Sequence, residues 1–426
     1  MNAWLRNLDR KFLGQDQAPA KPAAVPTEAV FVTEGIPRFT YNPRGSRNLE
    51  AEVTEYLNRV GKALSISGPS KCGKTVLVKK LLPEDQAIWL VGSDITSPES
   101  FWRGVVDRLN GFQQVERSHE SRREQAGAFG GGTPISLSST SAELVGERQS
   151  QVRTAVEVAR RELQTSKLPV VIDDFHYVPA VVRTELARTI KSLIPTTHVI
   201  LIAAPYEALQ AVESEPDMGG RVRYLRLEPW STDELAYIAR EGFRALNVQD
   251  HEGRITAQLA ANSFGAPSLM QDLCYEIASS NGIASSQSSL FGLVPPPNWH
   301  LFFRQIAANA RPAVVNRILN VSSAGPSRAP LAFKDGSERD IYLAVMLAVA
   351  RLGPSATIHR AALTQSLRNE LVGALASQRV VKCLERMSQI ALDHRGSGDP
   401  ALVYKNDELH VIDPYLAFFL TWAELQ

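Results

Sequence analysis

Gly68-Pro69-Ser70-Lys71-Cys72-Gly73-Lys74-Thr75 is the stretch that decides the fold, because it matches the phosphate-binding loop pattern G-x-x-x-x-G-K-[ST]. It follows an apolar run over 63–67 and leads into a helical segment over 75–82, which is the strand–loop–helix context that the pattern requires. Its glycines let backbone N–H groups turn toward phosphate oxygens, and a helix N-terminus favours the same anion. The sequence therefore predicts a site for a nucleoside triphosphate.

The last residues of this loop have separate expected roles. We expect Lys74 to reach the β- and γ-phosphates and the Thr75 hydroxyl to bind Mg²⁺. Cys72 is interpreted as a small filler of the loop rather than as a redox switch. The predicted nucleotide contacts in this region are Gly68, Pro69, Ser70, Lys71, Cys72, Gly73, Lys74, Thr75 and Val76.

Bulk composition bounds the class of protein. The length of 426 residues suggests about three domains, and 44% hydrophobic with 21% charged residues is typical of a globular protein. A formal net charge of +1 gives no overall attraction to nucleic acid or acidic membranes, so such binding would need a local patch. Three cysteines without a C-x-x-C pair argue against a disulfide framework and a zinc site. These features favour a cytoplasmic protein.

The N-terminal region, residues 1–30, is predicted to be a short amphipathic helix followed by an extended Pro/Ala linker. Its apolar side chains recur at helical spacing, and we expect them to dock on protein rather than on a membrane. No run of about 18 apolar residues occurs in the sequence, so it predicts no membrane span.

Strand-like and helix-like segments alternate through residues 31–229, the predicted core. Alternation of this kind predicts an α/β fold with a parallel sheet sandwiched by helices. A polar insertion at about 113–147 is predicted to be either a mobile functional loop or disordered. The apolar runs of strand length are 63–67, 87–91, 170–172 and 199–202, with an alternating, edge-like run at 221–227.

The segments after the core are predicted to be mainly helical. Residues 230–280 read as a small helical unit, and residues 281–336 as a linker with an extra helix. Residues 337–426 show three helices and then a hairpin, an order that is typical of a winged helix. Leu392–His394 and Leu402–Lys405 are the expected hairpin strands, with the turn at 396–400.

A second phosphate-site motif is the apolar strand that ends in Asp173 and Asp174. We expect Asp173 to hold Mg²⁺ through water and Asp174 to polarise the water that attacks the γ-phosphate. An Asp-rich turn without this role is the alternative. His176 could read the γ-phosphate or serve only in capping or packing.

The two motifs, with a further strand expected between them in space, resemble those of the additional-strand P-loop ATPases, in particular the AAA+ and STAND branches. This resemblance implies a helical lid after the sheet. Asn262–Met270 is similar to the G-x-P signature of STAND lids, which implies that Gly265 and Pro267 close onto the base and sugar. The C-terminal residues 410–420 are similar to the tail of prokaryotic STAND-like ATPases whose winged helix follows the lid.

Two features depart from the family pattern. Ala203-Ala204 stands where AAA+ proteins usually have a polar residue that senses the γ-phosphate, which implies hydrolysis that is slow or assisted from elsewhere. Arg221, just before the last strand, is a candidate catalytic sensor or finger, with a surface ion pair as the alternative. By the same resemblance, the candidates for base contacts are Ile36, Pro37 and Tyr41.

The third helix of the C-terminal module carries Arg379, Lys382 and Arg386 on one face. Such a stripe could neutralise DNA phosphates, since the third helix of a DNA-binding winged helix enters the major groove. The module from residue 337 onward is nevertheless near neutral, with nine Lys and Arg against ten Asp and Glu. Contacts with double-stranded DNA and with a protein both stay open.

Together these features predict a Mg²⁺-dependent molecular switch that binds and hydrolyses ATP, in regulation or antiviral defence. The resemblance implies a homo-oligomer or a complex with a partner protein. The first alternative is a DNA-handling ATPase that resembles origin-recognition or transposition loaders. The second is a nucleotide-binding scaffold with little turnover, suggested by Ala203-Ala204.

Overall fold

The structure is a computed structural model, and it describes residues 24–109, 147–203, 218–320, 330–354, 357–394 and 399–424. The predicted N-terminal amphipathic helix, the polar insertion up to residue 146 and Ala204 lie outside these residues.

The core is a five-stranded parallel sheet in the order β2-β3-β4-β1-β5. Its central position is taken by β4, which separates the strand before the phosphate loop from the strand that ends in Asp173. This confirms the expected additional strand and the edge position of β5. The strands are β1 (Ala63–Ser67), β2 (Ile88–Val91), β3 (Val170–Asp173), β4 (Val199–Ala203) and β5 (Val222–Arg226).

Helices cover both faces of this sheet, as the predicted α/β sandwich requires. Alternate residues of β4 point to opposite faces, so Ile200 and Ile202 pack with α2 and α3 while Val199 and Leu201 pack with α4, α5 and α6. The helices are α2 (Leu49–Leu57), α3 (Lys74–Leu81), α4 (98–109), α5 (Glu147–Ser166) and α6 (Ala180–Leu193).

A helical lid follows the sheet, as expected. Residues 24–30, predicted to end an extended linker, instead pack against this lid. Thr27 donates hydrogen bonds to the carbonyls of Ile283 and Ala284, and Val30 is buried in the lid core. The lid elements are α1 (Thr27–Val30), α7 (Thr232–Ala245), β6 (Val248–Gln249), α8 (Arg254–Ala261), α9 (Pro267–Ser280) and β7 (Phe291–Gly292).

In its described residues, 281–320 and 330–336, the predicted linker contains two helices rather than one. The first, α10 (Trp299–Asn309), places Phe303 in the lid core, and the second, α11 (Ala313–Leu319), places Val315 in the C-terminal core. Each helix is therefore packed with a different neighbouring unit. Two short strands follow, β8 (Leu331–Ala332) and β9 (Glu338–Arg339).

The C-terminal module is a winged helix, as predicted. It has three helices and a small antiparallel sheet in the order β10-β12-β11, with β10 between the first two helices and the β11–β12 hairpin after the third. None of the helices in the described part of the chain is long and apolar enough to cross a membrane. The elements are α12 (Ile341–Leu352), β10 (Ile358–His359), α13 (Arg360–Glu370), α14 (Ser377–Asp393), β11 (Leu402–Lys405), β12 (Glu408–Val411) and α15 (Pro414–Trp422).

The predicted hairpin was wrong in one strand. Leu392 and Asp393 end α14 instead of forming a strand, because buried Met387 and Ile390 continue the helical spacing of that helix. The hairpin pairs β11 with β12, and its turn lies at Asn406-Asp407. Both turn residues have positive φ, 53° and 64°, which suits the tight turns that connect twisted antiparallel strands.

Candidate nucleotide site

The phosphate loop connects β1 to α3. Gly73 caps α3 with a φ of +93°, and Lys74 is the first residue of the helix. The buried Lys74 ammonium donates hydrogen bonds to the carbonyl oxygens of Gly68, at 2.8 Å, and Pro69, at 2.9 Å. The cation is therefore held within the loop, next to the helix N-terminus that favours an anion.

Gly68 lies close against Leu227, the residue directly after the strand β5. A Cβ built on Gly68 would lie 2.8 Å from the carbonyl oxygen of Leu227 and 2.9 Å from the Sγ of Cys72. Cys72 is itself buried, and burial raises the pKa of its thiol. A buried, protonated thiol in a tight space agrees with the interpretation of Cys72 as a filler.

Thr75 and Asp173 meet at the carboxyl edge of the sheet. The Thr75 hydroxyl lies 3.1 Å from Oδ1 and 3.0 Å from Oδ2 of Asp173. Burial raises the pKa of Asp173, although the hydrogen bond from Thr75 and the charge of Lys74 act in the opposite direction. A hydroxyl beside a carboxylate is a pair of oxygen ligands that suits Mg²⁺, so these two residues fit the predicted metal site.

Asp174 follows directly, in a left-handed conformation with φ of +52°. Burial, together with the neighbouring charge of Asp173, raises the pKa of Asp174 to about 6. The structure thus brings together Lys74, Thr75, Asp173 and Asp174, the four residues predicted to handle the phosphates and the metal.

The lid meets the phosphate loop through Trp230, which the sequence did not single out. Its backbone N–H donates to the carbonyl of Gly265 at 3.1 Å, and its indole Nε1 donates to the carbonyl of Cys72 at 2.9 Å. Gly265 has a φ of +70°, and Pro267 is the first residue of α9. The predicted G-x-P turn is therefore joined to the phosphate loop by one tryptophan.

Arg44 is a second residue that sequence reasoning missed. Its guanidinium is 3% exposed, donates to both carboxylate oxygens of Glu234 at 2.9 and 3.0 Å, and lies 5.1 Å from the Trp230 ring centre. It also donates to the carbonyl oxygens of Glu228 and Pro229. A single arginine in a loop has no periodic signal, so only the fold identifies this group.

Ile36, Pro37 and Tyr41 are the residues predicted to contact the base. Ile36 is 42% exposed. The Tyr41 hydroxyl donates to Glu50 at 2.7 Å, and the Tyr41 ring lies 5.3 Å from the Lys80 ammonium. These contacts tie Tyr41 to α2 and to the end of α3 that is remote from the phosphate loop. Base contact by Ile36, Pro37 and Tyr41 stays a prediction.

Arg221 lies at the amino ends of the parallel strands, whereas the phosphate loop lies at their carboxyl ends. Its carbonyl accepts a hydrogen bond from the N–H of Ala63, the first residue of β1, whereas the phosphate loop follows the last residue of that strand. The structure therefore does not bring Arg221 to the phosphates of its own chain. Ala203, at the end of β4, is buried and offers no polar side chain.

The winged helix also contacts the phosphate-binding region, which no sequence pattern indicated. Asp399, before β11, lies with Oδ1 3.1 Å from Nε2 of His176. The Lys71 ammonium lies 4.0 Å from the ring centre of Tyr415, whose hydroxyl hydrogen-bonds Asp272 of the lid. Core, lid and winged helix therefore meet beside the phosphate loop.

The candidate DNA contacts lie on α14, the third helix of the winged helix. Lys382 and Arg386 are exposed, and Arg379 is half-buried. Lys382 and Arg386 are one helical turn apart and share a face, as their spacing predicted.

No protein-family model matches this chain, and no curated protein matches it. Among solved structures it is similar to Cdc6p from Pyrobaculum aerophilum, with 14% identity, 93% of this chain and 98% of that chain covered, and a TM-score of 0.42. It is also similar to the Aeropyrum pernix ORC2 protein, with 13% identity, coverages of 93% and 98%, and a TM-score of 0.43. A STAND protein with a tetratricopeptide repeat sensor from Pyrococcus horikoshii shows 13% identity, coverages of 91% and 43%, and a TM-score of 0.36.

Because these TM-scores lie below 0.5, the fold assignment rests on the chain's own features. These are the parallel strand order, the additional strand β4 between the two phosphate-site strands, the helical lid and the winged helix. The resemblance of the fold to AAA+/STAND-type P-loop ATPases is confirmed on these features.

Proposed function

We propose that this chain is a Mg²⁺-dependent ATPase that acts as a nucleotide-driven switch. The observation that carries the proposal is the contact of the Thr75 hydroxyl with both carboxylate oxygens of Asp173, at 3.1 and 3.0 Å. This contact joins the end of the phosphate loop to the end of β3, the place where a metal-bound triphosphate is held in P-loop sites.

Each side chain of the site has a chemical role in this proposal. When ATP binds, the Lys74 ammonium donates hydrogen bonds to oxygens of the β- and γ-phosphates in place of those to the carbonyls of Gly68 and Pro69. Mg²⁺, held by Thr75 and Asp173, would supply positive charge to the phosphate oxygens. Asp174 accepts a hydrogen bond from the attacking water and orients it. Since Ala203 ends β4 without a polar group, we propose that turnover is slow.

The binding step is tested with Lys74→Ala. We expect ATP affinity, measured by titration calorimetry, to fall by roughly 10- to 100-fold, because each hydrogen bond to a charged group contributes about 1.5–3 kcal/mol. Lys62→Ala is the matched control, since Lys62 is an exposed lysine that precedes β1. Retained ATP affinity in Lys74→Ala would remove the central claim.

The hydrolysis step is tested with Asp174→Asn, which keeps the shape of the side chain and removes its basicity. We expect ATP binding to persist and phosphate release to fall by about 10²- to 10⁴-fold. Unchanged turnover in this variant would show that Asp174 does not orient the water.

DNA handling is the second candidate function, favoured by the exposed Lys382 and Arg386 on α14. In this proposal the two side chains, with Arg379, contact the phosphates of double-stranded DNA. Replacing all three with Ala should weaken DNA binding and reduce the slope of log K against log salt by about 0.9 per lost contact.

The matched control replaces three exposed arginines of the lid, Arg240, Arg244 and Arg254, with Ala. Equal losses in both triple variants would indicate general charge attraction, and no DNA binding by the wild type with or without ATP would remove this candidate. In that case we propose that the winged helix acts on a partner protein or on a second copy of this chain, in regulation or antiviral defence.

A further inference from the structure

Asp399 is a carboxylate that the winged helix inserts beside the phosphate site. Its side chain is 9% exposed and that of His176 is 4% exposed, and the two are 3.1 Å apart. His176 belongs to the short helical turn Phe175–Tyr177 that follows Asp174. A carboxylate is costly to bury without partners, so its position indicates a built contact rather than a surface ion pair.

The groups around Asp399 belong to the phosphate site. Burial opposes its ionisation, but the nearby side chains of His176 and Ser70, with the charge of Lys74, lower the pKa of Asp399 below its usual value. In return, the charge of Asp399 contributes to the raised pKa of Asp174. Asp399 thus lies within electrostatic reach of both the phosphate-binding lysine and the proposed water-orienting carboxylate.

A γ-phosphate would need these same partners. The lysine of a phosphate loop reaches the β- and γ-phosphates, and the water-orienting carboxylate lies beside the γ-phosphate. Two anions that share one small buried site repel strongly, because the interior screens charge poorly. The docked Asp399 and the γ-phosphate therefore compete for the same positive and hydrogen-bonding groups, whereas ADP carries no phosphate group at that place.

We propose that Asp399 takes the place of the γ-phosphate when the winged helix is docked, so that it selects ADP over ATP. This inference rests on the proposed function. It makes Asp399 a specificity-determining residue for the nucleotide and His176 its docking partner. When ATP binds, the Asp399–His176 contact is lost, so binding of the third phosphate is coupled to withdrawal of Asp399 from the site.

A second contact of the same interface does not involve this competition. Lys71 lies over the Tyr415 ring, and Tyr415 is joined to Asp272 of the lid. This cation–π contact does not depend on a γ-phosphate. The winged helix can therefore stay close to the loop after Asp399 withdraws. In this proposal Asp399 alone distinguishes ATP from ADP.

The test is Asp399→Asn, which removes the charge and keeps the size of the side chain. We expect the ATP dissociation constant, measured with a non-hydrolysable analogue and Mg²⁺, to fall at least about tenfold, which corresponds to 1.4 kcal/mol. The ADP dissociation constant should change less than about threefold, a difference under 0.7 kcal/mol on the same scale. Asp393→Asn, an exposed aspartate of the same module, is the matched control and should leave both constants unchanged.

Hydrogen exchange gives an independent readout. The ATP analogue, but not ADP, should speed amide exchange in the turn Phe175–Tyr177 and at 399–405 of the wild type, and this difference should disappear in Asp399→Asn. An unchanged ratio of ATP to ADP affinity in Asp399→Asn would overturn the inference and leave the proposed ATPase standing. If neither the wild type nor the variant binds any nucleotide, both proposals are overturned.

Discussion

Position 92, directly after β2, requires a glycine, because the backbone of Asp174 lies against it. A Cβ built on Gly92 would overlap the carbonyl oxygen of Asp174 and would lie 2.8 Å from its carbonyl carbon. Backbone atoms on a neighbouring strand end cannot turn away as a flexible side chain can. Glycine at position 92 therefore allows the backbone of Asp174, the proposed water-orienting residue, to pack this closely.

At this scale we predict that Gly92→Ala impairs hydrolysis more than binding. A displacement of Asp174 by about 1 Å can lower turnover by about 100-fold, while Lys74 and Thr75 keep the ATP affinity within a few-fold of the wild type. Overpacking should also lower the free energy of unfolding by about 1–3 kcal/mol. Turnover and urea unfolding are the measurements.

Gly373→Ala is the control for that prediction, since nothing lies within 4 Å of a Cβ built at Gly373. This variant should keep both turnover and stability. Turnover in Gly92→Ala that equals that of Gly373→Ala would show that Asp174 tolerates displacement.

The start of the helix α7 contributes a contact between the lid and the core. Ser231 and Glu234 form a reciprocal capping box at its start, and Glu234 also binds the guanidinium of Arg44. Arg44 in turn lies over Trp230, which reaches the phosphate loop. One glutamate therefore satisfies the start of a helix and the buried cation at the junction between lid and core.

We predict that Glu234→Gln lowers the free energy of unfolding by about 1–3 kcal/mol, because it weakens a charge-assisted hydrogen bond to a buried arginine. Glu241→Gln is the control, since Glu241 pairs with Arg244, whose side chain is 73% exposed. That change should cost less than about 1 kcal/mol. Equal losses would mean that the Arg44 contact adds nothing to stability.

The pH dependence of this effect has a definite sign. Although burial acts to raise it, the hydrogen bond from Arg44 holds the pKa of Glu234 below its ordinary value of 4.5. A carboxyl group whose pKa is lower in the folded state stabilises the fold above its unfolded pKa and loses that contribution as the pH falls. The stability difference between wild type and Glu234→Gln should therefore shrink as the pH falls below 4.5.

At the scale of the whole molecule, a hydrogen bond from Tyr415 joins the winged helix to the lid. Tyr415→Phe removes the hydroxyl that hydrogen-bonds Asp272, a carboxyl group whose pKa is raised by burial. We predict a loss of about 1–3 kcal/mol in the free energy of unfolding, with faster amide hydrogen exchange along α15. Tyr404→Phe is the control, because the Tyr404 hydroxyl hydrogen-bonds the exposed Asp407 within the same hairpin. Unchanged exchange along α15 would show that this contact does not hold the winged helix.

Features that depend on residues close together in sequence were predicted correctly, whereas features that depend on contacts between distant residues were not. The phosphate loop, the Asp173-Asp174 pair and the α/β alternation depend on residues close together in sequence, and all were predictable. The hairpin was misplaced by one strand because Leu392 suits either a strand or the end of a helix, and only packing of Met387 and Ile390 decides between them. Arg221 was predicted to be a catalytic sensor or finger because it stands just before the last strand. The direction of β5, which is parallel to β1, places it at the end of the sheet remote from the phosphate loop.

The sequence by itself determined that a phosphate loop, a paired carboxylate strand, a helical lid and a winged helix follow one another, because each is a local pattern of spacing and residue type. Only the tertiary structure decided how these units meet. Trp230 reaches Cys72, Arg44 binds Glu234 and Asp399 contacts His176 across long stretches of chain. Sequence periodicity indicates which face of a helix or strand is buried, but it does not indicate which other element packs against that face. Contacts between distant polar groups therefore leave no pattern in the sequence.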